Sequence, residues 1–319
     1  MLRRRSDLRA QRDVQRIDQA VDALLAAPGE RPKVDELSDL SRAGQERLRE
    51  RWLELSAERR AEIIDTMLAD AEEEVARDFE RAMLIALDDP TADVRVRAVD
   101  GLWEARDPAL LGLLLERTAA EPSADVRRQL VRLLGQFAMR AQLGDLPEDD
   151  APLRAALRTM LNDDSDPAVQ LEALESLAYL VGEPGVTQRV QANYEDGDIE
   201  LRGSALRSMG RQADARWSRL MLESMLDDEP ELRFEAARAA GMIGGAGFVQ
   251  RLIDLARDDD DGEVRLAAIE ALGEIGSEEA VRVLRELARE DDVAINEAAE
   301  TALDVAMLAD ASAGPPRIV

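Results

Sequence analysis

"RDDDDGEVRLAA", Arg257 to Ala268, comes nearest of any stretch to the residue types of a metal site. Its acids run together and Gly262 stands sixth, as in a helix–loop–helix calcium loop. The end ligands of such a loop would then be Arg257 and Ala268, and neither side chain has an oxygen to offer a cation. The acids therefore read as turn and helix-capping residues, whose carboxylates accept backbone N–H bonds. Paired carboxylates for acid–base work are everywhere in a chain with 68 Asp and Glu residues, so spacing selects none of them. The sequence has no His and no Cys, which removes imidazole acid–base steps, Ser–His triads, thiolate nucleophiles, Cys/His metal sites and disulfides. Its one lysine, Lys33, sits in a Pro-containing linker, so Schiff-base chemistry and a lysine-bearing phosphate loop have a single poor candidate. "GMIGGAGF", Gly241 to Phe248, lacks the spacing and the preceding strand of a dinucleotide fingerprint. No cofactor, no metal and no enzymatic activity are expected.

The elements that would carry any site are helical. Aromatic residues make up 3% of the 319 residues while apolar residues reach 45%, so the core is built from Leu, Ala, Val, Ile and Met. These, with Arg and Glu, lose little side-chain freedom in a helix. No stretch alternates with period two, and the expected fold class is all-α. Net charge is −27. Residues 1–60 carry 14 basic and 12 acidic side chains, which leaves a net −29 on the remainder. So acidic a body repels phosphate backbones and anionic lipid, and it suits a soluble protein or one that receives a basic segment of a partner. The N-terminus has no apolar run of signal-peptide length and no stretch approaches a membrane span, so the expected location is cytoplasmic, with neither nucleic acid nor membrane as partner.

An apolar residue followed by Arg recurs at Val94-Arg95, Val126-Arg127, Leu201-Arg202, Leu232-Arg233 and Val264-Arg265; Val169-Gln170 and Ile295-Asn296 keep the register without the Arg. Successive anchors lie 32, 43, 32, 31, 32 and 31 residues apart, and the long interval holds "AMRAQLGDLPEDDAP", Ala138 to Pro152, expected to be a loop. A fixed period of this length marks stacked supersecondary units that bury a shared core. From each anchor, positions +4, +5, +8 and +11 complete one apolar face of a helix. Gly at +9 (Gly135, Gly210, Gly241, Gly273) permits close helix approach. Gly182, Gly244 or Gly276 then stands where a left-handed cap would close the helix. A second amphipathic helix follows, as in "SEEAVRVLRELARED" with Ser277 as its cap. Ahead of the repeats, Val14, Ile17, Val21 and Leu24 stripe a first helix beside Arg5, Arg9, Arg12 and Arg16, a basic edge that either docks on an acidic surface or is simply solvated. Helices capped by Ser41 and Ser56 follow.

The order of helix, Asp-rich turn and "VR..A...LG" resembles HEAT repeats, in particular the short bacterial type seen in phycobilisome lyases, over about residues 60–307. "GLWE" at Gly101 and "MGRQADARW" at Met209 are similar to uncharacterised bacterial HEAT-repeat proteins. The resemblance implies a right-handed α-solenoid of about seven helix pairs, residues 61–307, with residues 1–60 as an N-terminal helical cap and 308–319 as a disordered tail. It also implies that the "VR" helices line the concave side and that Arg95, Arg127, Arg202, Arg233 and Arg265 form a ladder with turn acids, broken at Gln170 and Asn296.

On that concave side, positions +2, +6 and +9 hold Trp103, Arg132, Arg207, Phe234 and Arg238, among Asp100, Glu175 and Glu270. Exposed aromatic and Arg residues together are what interface hot spots use. The same residues also read as packing between repeats, with the arginines held by nearby acids; Trp217 reads as packed. The expected function is a non-enzymatic scaffold or adaptor that binds another protein along this face or the acidic surface. Two alternatives come with the resemblance: a bilin lyase or isomerase holding a tetrapyrrole, and, more remotely, a HEAT-like nucleic-acid-binding protein. HEAT-like hydroxylases that hold iron through His and Glu have no counterpart here.

Overall fold

The computed structural model describes residues 2–74, 76–103, 105, 107–146 and 149–313. Among them the chain forms seventeen α-helices and no strand. Three precede the repeats: α1 (Leu2–Ala26), α2 (Arg42–Arg51) and α3 (Ala57–Glu73). The first helices of the seven expected pairs are α4 (Glu80–Ala86), α6 (Leu110–Ala120), α8 (Ala151–Asp163), α10 (Val186–Asp196), α12 (Ser218–Ser224), α14 (Val249–Asp258) and α16 (Glu278–Leu287). The second helices, opened by the anchors, are α5 (Ala92–Asp100), α7 (Ala124–Gln142), α9 (Pro167–Leu177), α11 (Ile199–Gln212), α13 (Pro230–Ile243), α15 (Gly262–Ile275) and α17 (Val293–Ala313). Residues 314–319 of the expected tail lie outside the described residues, as do the side chains of Arg5 and Arg9.

The helices start where their caps dictate. Ser41, Ser56 and Ser277 each accept a 3.2 Å bond from the backbone N–H three residues on, which satisfies a donor left free by the first turn. Asp261, one of the acids beside Gly262, caps α15 by accepting from the backbone N–H groups of Glu263 and Val264. The insertion is shorter than its composition suggested. Ala138 to Gln142 continue α7, because Ala, Met, Arg and Gln are good helix formers, and the break waits for Gly144 at φ +79°. At its other end Pro152 belongs to α8, where its missing N–H costs nothing.

The chain separates into two compact units, residues 1–137 with 146–169, and residues 138–145 with 170–319. In the first, α1 packs on α2, α2 on α4, α4 and α3 on α5, and α6 on α8. In the second, each first helix packs on its partner, α10 on α11 through α16 on α17, while α11, α13, α15 and α17 pack side by side in that order. Contacts thus run between neighbours, as a linear stack of repeats requires. The zero-position residues Val94, Val169, Leu232 and Val264 are completely buried.

In the second unit the row of second helices is close enough that a side chain would not fit at Gly210, Gly241 or Gly273. A Cβ on Gly210 would lie 2.9 Å from the Cα of Ala239, one on Gly241 3.0 Å from the Cα of Ala271, and one on Gly273 2.7 Å from the carbonyl oxygen of Ala302. In each case the small partner stands at +7 of the next second helix. Gly210→Ala therefore drives a methyl group against the Ala239 backbone, and we expect about 1–3 kcal/mol of destabilisation by urea unfolding. The same change at Gly112, whose Cβ would meet nothing within 4 Å, should be neutral or mildly stabilising.

Polar clamps link the repeats at their turns. Arg95 forks onto Glu121 (Nε–Oε2 3.0 Å, Nη2–Oε1 2.5 Å), Arg127 onto Asp164 (2.7 and 2.8 Å), and Arg233 onto Asp259 (2.8 and 2.7 Å). The remaining Nη1 of each turns back to two carbonyls of its own turn, Asp89 and Pro90, Glu121 and Pro122, or Asp227 and Asp228. Each acid stands five residues before the next anchor and also accepts the N–H two residues on, so it shapes its own turn while gripping the previous repeat. Arg202 reaches Asp227 through a single 2.5 Å bond, with its guanidinium 5.5 Å from the Tyr194 ring centre. Arg265 departs from the pattern, donating to the Ala256 carbonyl and standing 3.8 Å from Glu290. Asn296 makes a similar bond with its shorter amide, to the Ala288 carbonyl at 2.6 Å.

One rung was missed in the sequence. Arg60 of α3 lies with its Nε 2.6 Å from Asp89 Oδ2 and donates from Nη2 to Asp89 Oδ1 at 3.1 Å and from Nη1 to the Leu55 carbonyl at 2.6 Å. The residue before it is Arg59, not an apolar anchor. Arg59 is nonetheless buried, donating to the carbonyls of Ala27 and Glu30 just after α1. The helix pair α2/α3 is therefore clamped to the first repeat as the repeats are to one another.

The clamps set an acid limit on stability. The Arg127 bonds hold the Asp164 carboxyl below the ordinary Asp value of 3.8; burial pushes Asp227 and Asp259 up, but Arg202 and Arg233 more than offset it. A carboxyl with a lowered native pKa contributes stability that is complete above its unfolded value and is lost as pH falls through the native one. Glu80, Asp100 and Glu274 are shifted the other way, chiefly by burial, so stability rises as pH falls through their raised native values. The melting temperature should thus rise as pH falls from 7 through the raised native values of these acids, then fall below 3.8 as the clamped carboxylates are protonated.

Candidate interaction face of the second helices

In the first unit, Trp103 follows the C-terminus of α5 with 42% of its surface exposed. The exposed Arg132 of α7 lies over its ring, 5.3 Å from the centroid, in cation–π geometry. Beneath Trp103 opens a cavity of about 610 Å³ between α3, the turn before α4 and the end of α5. Asp100 and Arg132 both line it.

In the second unit, the arginines at +6 divide in two ways. Arg207 is held by Glu175 (Nη2–Oε1 2.9 Å) from the preceding second helix and Glu235 (2.7 Å) from the following one. Burial works against its charge, yet the two carboxylates outweigh it and hold the guanidinium above its ordinary value. Arg211 adds a 3.2 Å contact to Glu175 and stacks 5.1 Å from the Tyr179 ring centre. Arg207 is thus the middle of an ion network across α9, α11 and α13. Arg238 is exposed and lies 5.6 Å over the half-buried Phe234 of its own helix. Glu274 of α15 is within electrostatic reach of Arg238, but burial and the neighbouring Glu270 push its carboxyl up. Its carboxylate occupies the space a Cβ on Gly241 would take.

The five singled-out residues therefore fall into two aromatic–arginine stacks, Trp103/Arg132 and Phe234/Arg238, and one closed ion cluster around Arg207. Glu235 and Arg211, the other members of that cluster, stand at +3 and +10, off the outward positions that the repeat pattern marks. Trp217 is buried, with its Nε1 donating to Gln212 at 2.8 Å. Among the described residues no three acids are grouped as a metal site would need, and no helix is long and apolar enough to cross a membrane.

The description "HEAT repeats" matches the sequence over residues 80–178, 113–210, 189–272 and 222–304, together well over half the chain. This chain belongs to the HEAT-repeat family. No curated protein matches the sequence. Among solved structures, this HEAT-repeat chain is similar to an engineered protein (22% identity, 61% of this chain and 96% of that one, TM-score 0.39). It is similar to human deoxyhypusine hydroxylase in complex with glycerol (18%, 95% and 99%, TM-score 0.29). It is also similar to Kap95p bound to RanGDP (16%, 96% and 43%, TM-score 0.40). At TM-scores below 0.5, none of these likenesses transfers an activity or a partner to the HEAT-repeat chain.

Proposed function

We propose that the protein is a non-enzymatic scaffold that holds partner polypeptide on exposed second-helix surfaces, one in each of its two units. The observation that carries this reading is the pair of aromatic–arginine stacks, Trp103 under the exposed Arg132 and Phe234 under the exposed Arg238. A large aromatic left 42% exposed beside a guanidinium has hot-spot composition, with little rotamer freedom left to lose on binding. Arg207 is a supporting element rather than a contact, because Glu175 and Glu235 already satisfy it. The absence of His and Cys from the sequence favours binding over catalysis. The net charge of −27 favours a partner segment of basic character over nucleic acid.

The test is capture from native extract with Trp103→Ala and Arg238→Glu variants, set against Arg219→Glu on α12, where Arg219 is 85% exposed. Loss of a retained polypeptide in the first two variants alone is expected, by at least tenfold for Trp103→Ala, the roughly 1.4 kcal/mol or more typical of a truncated anchor. Equal retention by all three would remove the assignment. Mixing the protein with a bilin is the matching test of the tetrapyrrole alternative, and an unchanged absorption spectrum is expected.

A further inference from the structure

We infer that the cavity beneath Trp103 is the seat of a basic side chain, Arg or Lys, of the partner polypeptide; this rests on the scaffold reading above and gives its anchor a chemistry. The floor is apolar. Met67, Phe79 and Met83 are buried there, and Met83 lies so close to Gly101 that a Cβ at that position would stand 2.6 Å from its sulfur. The walls are acidic. Glu72, Asp78, Glu80 and Asp100 line the cavity against two guanidiniums, Arg77 and Arg132. Arg77 is consumed by Glu74, Asp70 and Asp35 at 2.9, 2.7 and 3.0 Å, and Arg132 lies over the Trp103 ring. Neither Glu80 nor Asp100 has an ion-pair partner among the described residues, although enough protein surrounds both carboxyls that burial pushes their pKa values up.

A cation meets several complementary features in this place. Carboxylates without an ion pair await a positive charge, methionine and phenylalanine surfaces suit the methylene stem of Lys or Arg, and the Trp103 face at the rim favours a cationic head. A volume of about 610 Å³ falls within the range of ligand clefts, and it leaves room for an apolar neighbour of the basic residue. A bare divalent ion fits poorly, since among the described residues no three acids group as metal ligands. An anionic or neutral polar group would leave Glu80 and Asp100 as they are.

The probe is the peptide acetyl-Leu-Arg-Leu-amide, with acetyl-Leu-Glu-Leu-amide, argininamide and magnesium chloride as comparisons, all at 150 mM salt. Binding to the full chain is read from the indole N–H signal of Trp103, identified by its loss in Trp103→Phe. The arginine peptide is expected to shift that signal saturably, and the glutamate peptide and magnesium are not. The double variant Glu80→Gln/Asp100→Asn should weaken the arginine peptide about tenfold or more. Glu231→Gln/Asp258→Asn, which removes two exposed charges elsewhere, should change its affinity less than twofold. Because the double variant relieves burial of charge, it should melt no lower than the wild type at pH 7, which separates lost binding from lost fold. Equal weakening by both double variants, or a saturating peptide that leaves the Trp103 signal unmoved, overturns the inference. Argininamide binding as tightly as the peptide would overturn its polypeptide part. Retention of a captured polypeptide by the Glu80→Gln/Asp100→Asn variant would leave the scaffold standing and remove this seat alone.

Discussion

Asp89→Ala is expected to lower the unfolding free energy by about 3–5 kcal/mol, the loss typical when one member of a buried ion pair is removed. The Asp89 side chain is fully buried and accepts from three donors, the Trp52 indole at 2.7 Å, Arg60 Nη2 at 3.1 Å and the Thr91 backbone N–H at 2.9 Å, with the Arg60 Nε in ion-pair contact at 2.6 Å. Truncation leaves the Arg60 guanidinium, itself 7% exposed, without its counter-charge, and strands the Trp52 N–H in an apolar setting. It also unties the α2/α3 pair from the first repeat, so loss of the N-terminal helices should precede loss of the rest. Urea unfolding followed by circular dichroism measures the total, and hydrogen exchange should show α1 to α3 exchanging first. Asp93→Ala, which removes an exposed carboxylate four residues before Arg97, should cost less than about 1 kcal/mol.

Arg95→Met should cost a similar amount, about 3–5 kcal/mol, for a related reason with a different signature. Arg95 and Glu121 are 11% and 5% exposed, and the substitution leaves a buried carboxylate facing a thioether. Neutralising the partner as well, in Arg95→Met/Glu121→Gln, removes the stranded charge while the amide oxygen still accepts from the Ser123 N–H. The double variant should therefore be more stable than Arg95→Met alone, recovering roughly half the loss. It should not reach wild type, because the bonds from Arg95 to the carbonyls of Asp89 and Pro90 are gone as well. Urea unfolding of the two single variants and the double completes a cycle, and strict additivity would show that the pair is not a clamp.

Much of this architecture was legible because packing units repeat. The anchors Val94, Val126, Val169, Leu201, Leu232, Val264 and Ile295 all open helices or lie in their first turns, and Ser41, Ser56 and Ser277 cap as their types require. The +9 glycines announced a close approach, and the structure gives the reason in Ala239, Ala271 and Ala302. What escaped notice departs from the motif while keeping its geometry. The Arg60–Asp89 rung hides behind a charged zero-position residue, Arg59, whose burial depends on carbonyls 32 and 29 residues earlier in the chain. Helix α7 overruns into the insertion because local propensity continued past the end of the repeat pattern.

The candidate face was only half legible. Periodicity put Trp103, Arg132, Arg207, Phe234 and Arg238 at outward positions, but it carries no information about which acids lie opposite. That is why Arg207, a candidate equal to Arg132 by sequence, turns out to be enclosed by Glu175 and Glu235 while Arg132 stays on an open aromatic face. The cavity between α3, α4 and α5 depends on three segments meeting, and Glu80 and Asp100 gain their meaning only there.

The most direct measurement is site-specific photocrosslinking in native extract, with benzoylphenylalanine placed in turn at positions 132, 238 and 219 of the full chain. The account predicts covalent capture of another polypeptide at 132 and 238 and none at 219. Capture at 219 alone, or no capture at either 132 or 238, would contradict it.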